Sequence, residues 1–312
     1  MLRVVLAGNK QRGMSCLNSV SKNHEIVGVV GHPKSGHQNS FIDRAKYNDF
    51  KIFQPDNINS SEFLKEIRSI GPDVIILAGY GKIVQNDFIS IAKYGCINLH
   101  GGKLPKYRGS SPMNWALING ETNFTLSIIQ VDLGIDTGDI LAEETHPIKP
   151  EYDISSLHKI ANDVFPQLLD KVLADLEEGN LKPISQKKAE SSYYPIRFPE
   201  DGLIFFDRLN AEEIHNRVRA LAPPYPGVTT FFMDKKIKII RTKLTERPYF
   251  GEAGRIYKIS EKNGVLVCAK DKCLWLEEVV DFNSKKNCID IFTRYRKMAT
   301  VNQVAQDFYD NK

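Results

Sequence analysis

Asn98 and His100 stand two residues apart at the end of a short apolar run, with Gly101 and Gly102 directly behind them. Side chains two apart on a strand point to the same face, so an amide and an imidazole would project together into one cleft. The glycines let a ligand approach the backbone closely. A second polar segment, residues 132–139, reads Asp-Leu-Gly-Ile-Asp-Thr-Gly-Asp, three aspartates and two glycines in one tight loop. If its strand neighbours the first, an aspartate can reach His100. A carboxylate beside an imidazole favours the charged ring, which gives a base able to take a proton from an attacking amine near neutral pH. The Asn98 NH₂ can steady an oxyanion, an interaction worth about 3 kcal/mol of barrier. These parts suit acyl transfer to a nucleophile that the substrate brings, because no serine or cysteine stands beside a histidine as a protein nucleophile would.

Each residue also has an ordinary reading. A strand-end histidine is commonly structural, asparagine commonly closes turns, and an aspartate–glycine loop is commonly a turn. The segment 132–139 lacks the distal glutamate of a calcium loop; no metal is expected.

Positioning these side chains needs a scaffold. Apolar runs at 2–7, 26–30, 73–78, 96–99 and 125–131 read as strands, and 61–70 reads as a helix with Phe63, Leu64 and Ile67 on one face. Short apolar strands separated by helices predict an α/β fold whose mostly parallel sheet is covered on both faces. Ligands of such sheets bind beyond the carboxyl ends of the strands, where both polar segments fall. The clearest helix is 154–176; Pro166 would bend it and Gly179 stops it. Residues 180–201 are polar and carry Pro183, Pro195 and Pro199, so they read as a connection. A helix at 211–222 and strands at 228–233, 236–244, 254–259, 265–269 and 273–280 then predict a small OB-like β-barrel. The last twenty residues read as a polar helix. The expected organisation is a catalytic domain at 1–185, a linker at 186–200 and a barrel domain with its terminal helix at 201–312.

The 312 residues carry a net charge of +4, spread along the chain, and the pI is near 8.6. This is short of the clustered basic footprint of a nucleic-acid binder. No apolar run approaches the roughly 20 residues of a membrane span. Five cysteines, an odd number with no CxxC spacing, argue against a disulfide framework or zinc site and for a reducing, cytoplasmic compartment.

The stretch NLHGGKLPKYRGSSPMNWALINGET followed by SIIQVDLGIDTGDIL resembles the formyltransferases that use 10-formyltetrahydrofolate. Its elements are Asn-x-His, Leu-Pro-x-x-Arg-Gly-x-x-Pro and Asp-Thr-Gly-Asp, and RALAPPYPG at 219–227 extends the likeness to the second half. The resemblance implies a Rossmann-like catalytic domain. Asn98 would polarise the formyl group, His100 would take the amine proton and return one to the leaving folate nitrogen, and Asp136 would orient His100. It further implies that folate lies along Lys82, Ile83 and Val84 and the loop Asp132, Leu133, Gly134 and Ile135. One departure is Gly102-Lys103, where the family often reads Ser-Leu.

Among acceptors, the resemblance is closest to sugar-nucleotide N-formyltransferases, through 54–59, 104–109 and 114–122. That implies a UDP- or dTDP-linked amino sugar destined for surface polysaccharide. A homodimer is a family-level expectation. The tRNA-acting members carry a longer basic loop where this chain has only residues 31–39, so a nucleic-acid partner is not expected. Methionyl-tRNA formyl transfer, hydrolysis of 10-formyltetrahydrofolate and a non-catalytic folate-binding role stay open. Candidates to hold a pyrophosphate and a base are Arg12, Lys106, Arg108, Arg197, Tyr107 and Trp115. The first loop, 8–13, could bind phosphate but lacks the GxGxxG fingerprint.

Overall fold

The computed structural model describes residues 1–33, 40–233, 235–281, 292, 297 and 298. Most of the expected terminal helix, and residues 34–39 of the short loop, lie outside the described residues; Lys297 and Met298, which fall within that expected helix, instead form antiparallel bridges with Arg255 and Phe232. Two compact units form. The first comprises Met1–Pro112, Asn123–Pro147 and His158–Pro195; the second comprises Met113–Thr122, Ile148–Leu157 and Ile196–Lys312.

The first unit is built on β1 (Arg3–Gly8), α1 (Lys10–Val20), β2 (Glu25–Val30), α2 (Ser40–Tyr47), β3 (Ile52–Phe53), α3 (Ser61–Ser69), β4 (Val74–Ala78), α4 (Asn86–Ile89), β5 (Cys96–His100) and β6 (Arg108–Gly109). Beyond α5 (Pro112–Ile118), which falls almost wholly in the second unit, come β7 (Asn123–Gln130), β8 (Ile140–Pro147), α6 (Ile154–Glu178), whose first four residues also fall in the second unit, and β9 (Tyr193–Tyr194). Seven strands run in the order β3-β2-β1-β4-β5-β7-β8. Neighbours from β3 to β5 pair parallel, whereas β7 pairs antiparallel with both β5 and β8. The expected mostly parallel α/β sheet is therefore present. Strand β4 is buried throughout and β1 at all but its first residue, as both-face coverage requires.

Local chemistry explains the helices. Ser60 caps α3 by accepting the Phe63 N–H, which satisfies one of the orphan donors of the first turn. Phe63, Leu64 and Ile67 then face Val5, Ala7, Ile75 and Leu77 of the sheet, each contributing about 2 kcal/mol by leaving water. Gly71, at φ +57°, follows the C-terminal end, where only glycine is free of strain. Pro166 lies inside α6 without ending it, and Gly179, at φ +73°, stands just beyond the helix.

The second unit holds α7 (Ala211–Ala220), β10 (Val228–Phe232), β11 (Lys235–Leu244), β12 (Ile256–Ser260), β13 (Gly264–Cys268) and β14 (Cys273–Asp281). The strands form an antiparallel sheet in the order β10-β11-β14-β13-β12. Its buried side packs Val228, Ile237, Val265, Leu274 and Leu276 against Ile214 and Val218 of α7. Cys268 and Cys273 are facing partners of the β13–β14 hairpin and form a disulfide. This corrects the expectation of free thiols: the hairpin register brings two cysteines five apart onto one rung. Cys16 and Cys96 remain free and buried. No described helix is long and apolar enough to cross a membrane.

Candidate active site

His100 ends β5, where the strand has a parallel neighbour, β4, on one side and an antiparallel neighbour, β7, on the other. The register sets Asn98 opposite Ile129 and His100 opposite Ser127. Ser127 Oγ donates to the Gly102 carbonyl at 3.0 Å and pins the turn after the strand. Gly102 has no room for a side chain: a Cβ there would stand 2.8 Å from His100 Nε2 and 2.9 Å from the Tyr107 carbonyl.

The His100 ring is buried, 5% exposed, and both nitrogens face protein. Nε2 lies 2.8 Å from the Tyr107 carbonyl oxygen. A carbonyl only accepts, so Nε2 carries the hydrogen there. Nδ1 lies 3.6 Å from Asp136 Oδ2, an ion-pair distance longer than a hydrogen bond. The same carboxylate oxygen accepts the Gly109 N–H at 2.8 Å. Asp136 sits at φ +53°, a region that Asp and Asn enter more readily than other side chains. The amide of Asn98 makes no hydrogen bond to another described residue, so its NH₂ is available to a ligand. The three residues expected to act together are thus gathered on β5 and on the loop between β7 and β8.

The segment 107–109, which supplies two of these contacts, is held by the two-stranded β6–β9 ladder. Arg108 N–H donates to Ser192 O at 3.1 Å and Ser110 N–H to Tyr194 O at 2.9 Å. The Tyr107 and Tyr194 rings stack with centroids 4.8 Å apart. Arg108 is buried, and its guanidinium goes to Gln186 Oε1, at 3.1 and 2.7 Å, and to Tyr193 Oη at 2.9 Å. Gln186 in turn donates to the carbonyls of Asp136 and Gly138.

The other candidates lie apart from this cluster or on its margin. Lys82 Nζ reaches the Asp56 carbonyl at 3.1 Å, and Asn59 fastens the segment by donating to Ile83 O at 3.0 Å and accepting from Gln85 N–H at 2.8 Å. Val84 packs against the core, whereas Ile83, Leu133 and Ile135 are 78%, 78% and 57% exposed. Asp132 folds its own loop, accepting from Gly134 N–H and Thr137 Oγ1. Arg12 donates to Asn162 at 2.7 Å and lies over the Phe165 ring. Beside Arg12 and Lys10, burial pushes the His158 imidazole down to about 4. Lys106 is exposed. Trp115 and Arg197 belong to the second unit, where the guanidinium lies 4.9 Å from the indole centroid and donates to Asp201 O. A cleft of about 650 Å³ in the second unit, lined by His215, Arg219 and Arg241 among others, contains none of the candidates. Among the described residues, no group of three or more His, Cys, Asp or Glu could hold a metal ion.

Gln186, Asn59 and the pair Tyr193–Tyr194 escape sequence reasoning. A glutamine in a polar, proline-bearing connection carries no signal of its own.

Comparison with known proteins identifies the family. The formyl transferase family model matches residues 2–173, and the formyl transferase C-terminal domain model matches 198–294. A methionyl-tRNA formyltransferase of Clostridioides difficile is 31% identical over 96% of this chain and 98% of its own length. One from Caldanaerobacter subterraneus is 34% identical over 91% and 94%. Among solved structures, an N-formyltransferase from Helicobacter canadensis, in complex with folinic acid and dTDP-3-aminofucose, superposes with a TM-score of 0.70. It is 20% identical, over 89% of this chain and 99% of its own. The chain belongs to the formyl transferase family and is an N-formyltransferase.

Proposed function

We propose that the chain transfers the formyl group of 10-formyltetrahydrofolate to the amine of a nucleotide-linked amino sugar, UDP- or dTDP-borne, in the cytoplasm and for surface polysaccharide. In this reading the Asn98 NH₂ donates to the formyl oxygen as the amine attacks and the carbonyl becomes an oxyanion. His100 exchanges the proton between the incoming amine and the departing folate nitrogen through Nδ1, since Nε2 is held at Tyr107. Asp136 orients the ring and balances its charge. Support for a folate comes from the exposed apolar side chains of Ile83, Leu133 and Ile135, which suit the flat face of an aromatic ring whose polar edge meets backbone groups. The Helicobacter canadensis enzyme carries folinic acid in its complex.

One observation carries the choice of acceptor. Between β2 and α2 the chain has only residues 31–39, with a single lysine and no arginine. An RNA acceptor calls for several phosphate contacts, and this connection cannot supply them. The second reading, methionyl-tRNA formyl transfer, is favoured by the full-length identity of 31% to a methionyl-tRNA enzyme.

The test is to incubate the protein with 10-formyltetrahydrofolate and a panel of UDP- and dTDP-linked 3- and 4-amino sugars, with methionine charged on initiator tRNA in parallel. Product mass identifies the acceptor. Formylation of a sugar, lost in His100→Ala, supports the first reading. Formylation of the charged tRNA alone replaces it with the second.

A further inference from the structure

Gln186 uses every hydrogen-bonding valence that its amide has. Its two Nε2 hydrogens go to the Asp136 carbonyl at 3.0 Å and the Gly138 carbonyl at 2.6 Å. Its Oε1 accepts Arg108 Nε at 3.1 Å and Arg108 Nη2 at 2.7 Å. One side chain therefore joins the loop that carries Asp136 to the segment that carries Tyr107 and Gly109. Those are the two pieces of chain that touch His100, through Tyr107 O at one ring nitrogen and Asp136 Oδ2 at the other. Fifty residues separate Gln186 from Asp136 and seventy-eight separate it from Arg108, so the clamp comes from a distant segment and adds to the one direct bond between the two pieces, Gly109 N–H to Asp136 Oδ2.

Arg108 makes the clamp stiff. Its side chain is buried, and its third contact, Nη1 to Tyr193 Oη at 2.9 Å, fixes the plane of the guanidinium. A planar guanidinium donating two hydrogens to one oxygen leaves the glutamine no freedom to turn. Its amide must then present the NH₂ to the loop carbonyls. The Asp136 backbone is at φ +53°, a conformation that persists only when its surroundings over-determine it. The Gln186 bond to the carbonyl of that same residue is one such constraint.

We propose that Gln186 is a positioning residue for formyl transfer, setting the distance and orientation of Asp136 relative to His100 from a segment with no reacting group of its own. The inference rests on His100 and Asp136 being the reacting pair.

Gln186→Glu separates positioning from stability. A carboxylate still accepts both Arg108 hydrogens, as an ion pair, but has none to donate to the carbonyls of Asp136 and Gly138. Gln186→Asn keeps the amide but is one methylene too short to span both sides. The wild type and both variants are compared in three ways: turnover with 10-formyltetrahydrofolate and the acceptor that the panel identifies, thermal midpoint, and NMR of ¹³C-labelled histidine rings, with His100 assigned through His100→Gln. For Gln186→Glu the expected result is a midpoint lowered by only a few degrees, about 2–6 °C, as two carbonyls lose their donors, kcat lower by about 10- to 100-fold, KM changed less than about threefold, and a displaced His100 resonance. Wild-type kcat with an unmoved His100 resonance overturns the proposal. So does a fall in kcat matched by a collapse of the midpoint in Gln186→Glu, which makes the residue merely structural. His100→Ala at full turnover would instead sink the reading of the reacting pair. The His100 resonance would then still decide whether Gln186 sets the geometry.

Discussion

The carboxylate of Asp136 accepts the backbone N–H of Gly109 at 2.8 Å with the oxygen that also faces His100 Nδ1. One oxygen thus serves the backbone and the imidazole together. Changing the carboxylate should disturb both.

Asp136→Asn keeps an oxygen for Gly109 and a side chain that tolerates a positive φ, but removes the charge beside the imidazole. We expect the thermal midpoint to stay near wild type while kcat falls by about 10²- to 10⁴-fold, the range for a general acid–base group. Asp136→Ala should also lose about 1–3 kcal/mol of stability, because Gly109 N–H loses its acceptor. Chemical denaturation of the two variants beside steady-state turnover checks both. Equal stability loss in the two would show that the Gly109 bond is not what Asp136 contributes to the fold.

Asn98→Ala should lower kcat by about 10²- to 10³-fold with KM for folate little changed, as loss of one oxyanion donor does. Its side chain has no partner among the described residues, so stability should move by less than about 1 kcal/mol. Single-turnover kinetics with saturating donor measure the chemical step. A variant at wild-type rate would remove Asn98 from the chemistry.

Gly109 and Gly179 both sit at positive φ, +97° and +73°, yet their surroundings differ. A Cβ on Gly109 would stand 2.2 Å from the Tyr194 carbonyl oxygen, whereas a Cβ on Gly179 meets nothing within 4 Å. Gly179→Ala should cost about 1 kcal/mol and leave turnover alone. Gly109→Ala must push β6 off β9, costing about 3 kcal/mol or more and lowering turnover through the displaced Tyr107 carbonyl. Comparable stability in the two variants would mean that the ladder yields easily.

His158 supplies a pH test of the first unit. Burial, then the charges of Arg12 and Lys10, push its pKa from 6.5 down to about 4. The unfolded chain therefore takes up this proton before the folded one. Stability is full above the ordinary pKa of 6.5 and is lost as pH falls towards about 4, at up to about 1.4 kcal/mol per pH unit. His158→Gln, which cannot titrate, should lose less stability than wild type between about pH 7 and pH 4.5. Urea midpoints at those two pH values suffice, and identical slopes for the two proteins would contradict the assignment.

The backbone of the site was legible in the sequence because its signals are local. The apolar runs that became β1, β4 and β5 stay buried over nearly their whole length, and the Phe63, Leu64 and Ile67 stripe of α3 follows the helical period. Asn98 and His100 stood out through residue type and spacing, whereas Asp136 was singled out from the three aspartates of 132–139 only by the family resemblance. Strand β8 went unread because its outward residues, Glu143 and Glu144 among them, are exposed, so it lacks an apolar run. Gln186 went unread for a different reason: its importance lies wholly in partners 50 and 78 residues away, and no window along the chain contains them. Arg108 was read as a ligand for phosphate from its charge alone; burial against Gln186 and Tyr193 is a property of the folded chain.

The β6–β9 ladder joins a segment near residue 108 to one near residue 193, and this has a consequence for biosynthesis. A ribosome releases Asn98, His100 and Asp136 well before it releases Gln186, Tyr193 and Tyr194. At about 5–20 residues per second, the reacting side chains emerge seconds ahead of the clasp that fixes their geometry. A nascent chain that stops short of residue 186 would hold all three in its sequence and still lack the fastening, so catalytic competence should arrive late in translation, when β9 closes on β6.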